Sequence, residues 1–148
     1  MTALRFYVVR HGRAEARHPA GDAERTLTAD GRARFAAHAR ALASQLPLQS
    51  VVTSPLVRAR ETAELLGEAT GAPVVEEASL APGALSGREI LALGRRLGAG
   101  VALVGHNPEF AEAVAVAAGK DQDVPAGSIA AVDADPSGWR VAWLRVPA

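Results

Sequence analysis

Two short runs, Leu4-Arg5-Phe6-Tyr7-Val8-Val9 and Val101-Ala102-Leu103-Val104, are apolar almost from end to end. A strand with one wet face alternates apolar and polar residues, so nearly continuous apolar runs belong to strands covered on both faces. Two shorter runs, SVVT at 50–53 and PVV at 73–75, read the same way, and helical patterns separate all four. The order strand, helix, strand, helix predicts a three-layer α/β/α sandwich around a mostly parallel sheet. The 148 residues contain no internal repeat, low-complexity tract or linker, and 1–148 is read as a single domain.

The helices announce their own ends. Thr28 is placed to cap a helix running to about Gln45, with Phe35, Ala39, Leu42 and Leu46 spaced along one apolar face. Ser54-Pro55 reads as an N-cap followed by proline at the first helical position, opening a helix to about Thr70. Ser86-x-x-Glu89 is a capping box for a third, to about Leu97. Asn107-Pro108 opens a fourth, with Phe110, Val114 and Ala117 on one side. The tail reads as a hairpin in which 128–132 turns through Asp135-Pro136-Ser137-Gly138 into 139–146, giving an antiparallel final strand. Trp139 and Trp143 are expected to share a face with Val141 and to pack that strand on the core or a covering helix.

Composition narrows the function. Cationic and acidic residues number 16 each, which argues against nucleic acid or a membrane surface as a partner recruited by bulk charge. All the cations but Lys120 are arginine, in a chain rich in Ala, Gly and Val, so a surface Arg carries little weight by itself. The absence of cysteine excludes disulfides, thiolate catalysis and cysteine-built metal sites. No pair of histidines has metal-ligand spacing within a helix or strand, and neither a metal nor any other cofactor is expected. No leader-like or membrane-spanning apolar segment is evident, so a cytoplasmic address and a monomer are the default expectations.

In parallel α/β sheets, ligands bind beyond the carboxyl ends of the strands. Arg10 and His11 end the first strand, Ser54 and Arg58 follow the second, and Gly105-His106-Asn107 follows the fourth. The fold thus delivers Arg10, His11, Arg58 and His106 to one edge, together with two expected helix N-termini. Such a cluster repels itself unless an anion sits within it, and a phosphoryl group fits the planar forks of arginine. Binding alone does not require a histidine there, but catalysis does: a neutral imidazole can attack phosphorus. A cation about 4 Å away disfavours protonation by about 4 kcal/mol at an effective dielectric of about 20, so two arginines are expected to hold His11 below its ordinary pKa of about 6.5.

The motifs carry a family resemblance. Val9-Arg10-His11-Gly12, the stretch Ser54-Pro55-Leu56-Val57-Arg58-Ala59-Arg60-Glu61-Thr62-Ala63, and Val104-Gly105-His106-Asn107-Pro108 resemble, in order and spacing, the three signatures of the histidine phosphatase superfamily, the phosphoglycerate-mutase-like group. Asp22-x-x-Arg25-x-Leu27-Thr28-x-x-Gly31 and the overall length resemble its shorter SixA-like phosphohistidine phosphatase branch. The resemblance covers residues 5 to about 118 and implies a phosphoglycerate mutase-like fold and a metal-independent phosphatase. It implies His11 as nucleophile, Arg10 and Arg58 as phosphoryl-binding groups, and His106 as a group that contacts and stabilises the phosphoryl. Gly12 would let the backbone turn closely, with a carbonyl holding the far nitrogen of His11. Asn107 and Ser54 would support the site, Asn107 lying at its binding edge, and Arg13 either extends the phosphate site or is simply solvent-exposed.

One departure shapes the substrate expectation. Larger members place a glutamate proton donor after the third strand, where this chain reads Leu80-Ala81-Pro82-Gly83-Ala84. Glu15, Asp22, Glu76 and Glu77 remain candidates, although Asp22 reads better as a loop partner of Arg25. An alkoxide leaving group needs a proton far more than an imidazole, so the missing acid tilts the substrate toward phosphohistidine on another protein. The segments 13–27 and 76–85 are short for lids and would leave the site open to a protein side chain. The rivals are a phosphatase of a small phosphate ester, such as a sugar phosphate or nucleotide, and a phosphate-binding module without turnover. Arg60 reads as structural, and His18 and His38 as surface or boundary residues.

Overall fold

The computed structural model describes residues 3–148. Among these, strands β1 (Leu4–Arg10), β2 (Ser50–Thr53), β3 (Val74–Glu76), β4 (Val101–Gly105), β5 (Ile129–Asp135) and β6 (Gly138–Arg145) form one sheet in the order β3-β2-β4-β1-β5-β6. The neighbours from β3 to β1 pair parallel, while β5 pairs antiparallel to β1 and β6 antiparallel to β5. The antiparallel pairing of the final strand is therefore made through β5, the strand that runs against the others. Four helices, α1 (Ala29–Leu42), α2 (Val57–Thr70), α3 (Gly87–Leu97) and α4 (Glu109–Ala118), complete the three layers.

The apolar runs are apolar because both faces are covered. Phe6, Val8, Val101 and Leu103 enter one buried cluster with Ile90 and Leu91 of α3 and Phe110 and Val114 of α4. Tyr7, Val9, Ala102 and Val104 enter the other, with Phe35 and Ala39 of α1 and Ala59 and Leu66 of α2. Successive residues of β1 and β4 thus feed opposite layers, the period of two that a pleated strand dictates. The α-helix ends at Leu42 and passes into a 3-10 turn at Ala43–Gln45; Phe35, Ala39 and Leu42 of α1 are buried, as is Leu46 after the turn.

Two expectations fail for local reasons. Ser54 is not the cap of α2: the helix starts at Val57, with Leu56 extended ahead of it. The Ser54 hydroxyl instead meets the Leu56 N–H at 3.2 Å and His106 Nε2 at 2.7 Å. Trp139 and Trp143 lie on opposite faces. Trp139 pairs with Ala134 and Val141 with Val132, but the register then shifts, leaving Ala142 unpaired and setting Trp143 opposite Ala131. This bulge turns Trp143 onto Tyr7, with ring centroids 6.0 Å apart, while Trp139 packs with the α3/α4 layer. The capping box at Ser86 and Glu89 forms as expected.

Register aligns the strand ends. Arg10 lies opposite Gly105 and Thr53 opposite Val104, and the ladder runs on past the strands as His11 N–H donates to the Gly105 carbonyl at 3.0 Å and Ser54 N–H to that of Val104 at 3.0 Å. The turn after β1 is clamped against α1. Thr28 N–H donates to the Arg13 carbonyl at 3.0 Å while the Thr28 hydroxyl accepts Gly31 N–H at 2.9 Å. A Cβ at position 31 would sit 2.2 Å from the Arg13 carbonyl oxygen, so glycine is required by close approach.

Candidate active site

His11, Arg58 and His106 are buried at this edge, with 8%, 5% and 2% of their surfaces exposed, and Arg10 is half-buried beside them. The rings of His11 and His106 lie 5.2 Å apart between centroids. His11 Nδ1 is 2.7 Å from the Gly12 carbonyl oxygen. A carbonyl only accepts, so Nδ1 carries the proton of the neutral ring and Nε2 keeps its lone pair. Gly12 N–H donates to Thr62 Oγ1 at 3.0 Å, and that hydroxyl donates to the Arg58 carbonyl at 2.8 Å. One buried threonine thereby ties the turn carrying His11 to the helix carrying Arg58.

His106 is fixed from the far side. The Ser54 hydroxyl oxygen accepts from Leu56 and has a proton to give, and His106 Nε2 lies 2.7 Å away. His106 Nδ1, the other ring nitrogen, is a buried atom with no partner in the protein. Arg10 Nε and Arg58 Nε are likewise buried without partners. Buried polar atoms without partners are costly, and these three lie on residues that meet at one edge of the sheet. Arg10 is aimed by a contact from Nη1 to the Val124 carbonyl at 3.0 Å, and Asn107 Nδ2 donates to the same carbonyl at 3.1 Å. Asn107 Oδ1 accepts Ala111 N–H at 3.1 Å, so its amide is committed to the fold at both ends.

The other candidates separate. Arg13 is exposed, and its carbonyl is what the fold uses; the residue borders a small cavity of about 40 Å³ with Gly31, Arg34 and Phe35. Glu15 accepts from both the backbone and hydroxyl of Thr26, Glu77 from Ser79, and Glu76 pairs with Arg60 at 3.5 Å. Asp22 does reach the cluster. It pairs with Arg25 at 2.9 Å, as expected, but its other carboxylate oxygen lies 3.2 Å from Arg58 Nη2, and its main-chain carbonyl accepts from Arg58 Nη1 at 2.9 Å. The D-x-x-R spacing signals the first contact and is silent on the second. Thr62, four residues after Arg58 on the same helix face, was the legible hint of the link to Gly12.

Burial is the leading reason that His11 is a weak base: its pKa falls from 6.5 to about 4, opposed by the Gly12 carbonyl and assisted by Arg58, Arg10 and Arg25 in that order. The arginines therefore contribute as expected but do not dominate. His106 falls to about 3, through burial first and then the charges of His11 and Arg58, with Asp22 opposing. Burial also lowers the pKa of Arg10, against the pull of Asp123. Both rings are therefore neutral near pH 7. Because the folded pKa values lie below those of the unfolded chain, stability is undiminished by these rings above about pH 6.5 and is lost as the pH falls toward about 4 for His11 and about 3 for His106. In a phosphate-free NMR titration, the His11 and His106 rings are expected to remain neutral at pH 5; a midpoint near 6.5 for His11 would contradict this.

A neutral, oriented imidazole among guanidinium groups at the carboxyl edge of a parallel sheet defines a site for phosphoryl chemistry. The model of the histidine phosphatase superfamily (branch 1) matches residues 6–107, and the chain belongs to that family. It is thus a hydrolase of the histidine-dependent phosphatase type. An uncharacterized protein of Picosynechococcus sp. is 39% identical over 122 residues, which cover 76% of this chain and 73% of that one. The structure of the protein histidine phosphatase SixA complexed with tungstate superposes with a TM-score of 0.84 at 25% identity, over 97% of each chain. A candidate phosphohistidine phosphatase SixA from Agrobacterium tumefaciens gives a TM-score of 0.85 at 23% identity, over 99% of this chain and 100% of that one. Among the described residues, no helix is long and apolar enough to cross a membrane, and no cluster of three or more His, Asp or Glu is arranged to hold a metal ion.

Proposed function

We propose that the protein removes the phosphoryl group from phosphohistidine on another protein, with His11 as the covalent carrier. The carrying observation is the His11 ring: its Nδ1 is committed to the Gly12 carbonyl, its Nε2 keeps a lone pair, and burial holds it neutral. Nε2 attacks phosphorus, the bond to the leaving group breaks, and that bond's electron pair departs with the leaving group. Arg10, Arg58 and His106 bind the phosphoryl oxygens and hold the charge that develops on them. Water then attacks the phosphorus of phospho-His11, releasing orthophosphate and restoring the ring.

Two features favour phosphohistidine over an ester. The acids in and beside the segment after β3 are engaged elsewhere, Glu76 by Arg60, Glu77 by Ser79 and the buried Glu109 by the Gly83 N–H, and Leu80 is buried in the core. An imidazole leaves without such a donor when its other nitrogen is already protonated, whereas an alkoxide does not. The SixA likeness supports the same substrate, since that protein is described as a protein histidine phosphatase. Assay of a phosphohistidine peptide beside a panel of sugar phosphates and nucleotides is expected to give the peptide the highest kcat/KM, by about tenfold or more, the effect of about 1.4 kcal/mol in the barrier. An ester that outruns the peptide overturns the reading.

A further inference from the structure

Asp22 is of the wrong charge for its position. It lies on the loop between β1 and α1, and its side chain, 65% exposed, stands at the surface above a buried Arg58. Each carboxylate oxygen carries one guanidinium contact, Oδ1 from Arg25 at 2.9 Å and Oδ2 from Arg58 at 3.2 Å. A carboxylate offers about four acceptor positions, so unused lone pairs face the solvent from which a substrate arrives. The two arginines also hold the carboxyl below its ordinary pKa, led by the Arg25 contact. A negative charge here repels a phosphoryl dianion. Arg25 and Arg58 offset part of that repulsion, and a positive charge brought by the substrate to the same place turns the remainder into attraction.

We propose that Asp22 is a specificity-determining residue that selects substrates whose leaving group is protonated and cationic, by accepting an N–H from that group. The proposal rests on the phosphohistidine reading above and supplies what that reading lacks, a protein group facing the departing ring. In the protonated form of phosphohistidine, the ring nitrogen not bonded to phosphorus carries an N–H, and the ring is cationic. Asp22 accepts that N–H. His11 Nε2 forms its bond to phosphorus, the substrate's P–N bond breaks, and its electron pair returns to the ring nitrogen. The ring departs as neutral imidazole, and no proton is drawn from the protein. An ester offers no such cation, so for it the same carboxylate is purely repulsive.

The test compares wild type with Asp22→Asn on a phosphohistidine peptide, inorganic phosphoramidate (whose protonated nitrogen leaves as ammonia) and 4-nitrophenyl phosphate. Asparagine keeps the shape and can still accept from Arg58, but carries no charge. A charge-assisted hydrogen bond is worth a factor of about 10 to 100. The kcat/KM ratios of peptide to aryl phosphate and of phosphoramidate to aryl phosphate are each expected to fall by about that factor. Equal losses on all three substrates, or unchanged ratios, would overturn the proposal and leave Asp22 as a mere holder of Arg58. A wild type that turns over phosphoramidate and aryl phosphate but not the peptide defeats the phosphohistidine reading. In that case the phosphoramidate ratio still decides the proposal, a fall upholding charge selection and constancy refuting it.

Discussion

His11→Ala is expected to lower kcat by about 10⁴-fold or more while the protein stays folded, because it removes the atom proposed to carry the phosphoryl group. The arginines and His106 remain in that variant, so substrate binding persists and the loss falls on the chemical step. Removing a buried imidazole also removes a group that resists protonation, so the variant is expected to resist acid better than wild type between about pH 6.5 and 4. Steady-state rates with circular dichroism as a folding control check both parts. A kcat within tenfold of wild type would end the covalent mechanism.

Arg58→Ala is expected to lower kcat/KM by about 10³-fold, the scale for removing one preorganised donor to a developing oxyanion. Lysine is expected to recover little of that loss. Arg58 uses Nη1 and Nη2 to hold the main chain and carboxylate of Asp22 and keeps Nε free in the interior. Only a planar fork does both, and an ammonium group must choose. Rates of the Ala and Lys variants, with inhibition by orthophosphate as a measure of oxyanion binding, test the claim. An Arg58→Lys variant with more than about a tenth of wild-type kcat/KM would show that charge alone suffices.

The sheet was legible because its signal is local. Phe6 and Val8 feed one layer and Tyr7 and Val9 the other, so the doubly covered strand is written in consecutive residues. Placement of Arg10, His11 and His106 then follows from strand ends alone. What escaped the sequence depends on contacts distant in the chain. Ser54 has the local chemistry of a helix cap but is taken by His106, 52 positions away. The Val124 carbonyl that aims Arg10 belongs to a loop with no motif, and Asp22 meets Arg58 across 36 positions. Trp143 changes face through one unpaired residue, which a period-two reading cannot anticipate. Charge near His11 was visible in the sequence; its burial, the larger influence on the ring, arises only when segments distant in the chain, Gly105, His106 and Gly127 among them, come together around it.

The central claim is that one neutral ring, at position 11, takes the phosphoryl group onto its Nε2. The direct measurement is a rapid quench of the enzyme with phosphohistidine peptide in alkali, followed by mass-spectrometric mapping of the phosphorylated residue. An acid-labile, alkali-stable phosphoryl group on His11, absent from His11→Ala, is the predicted result. Turnover without any phosphoenzyme, or a phosphoryl group mapped to His106 instead, would contradict it.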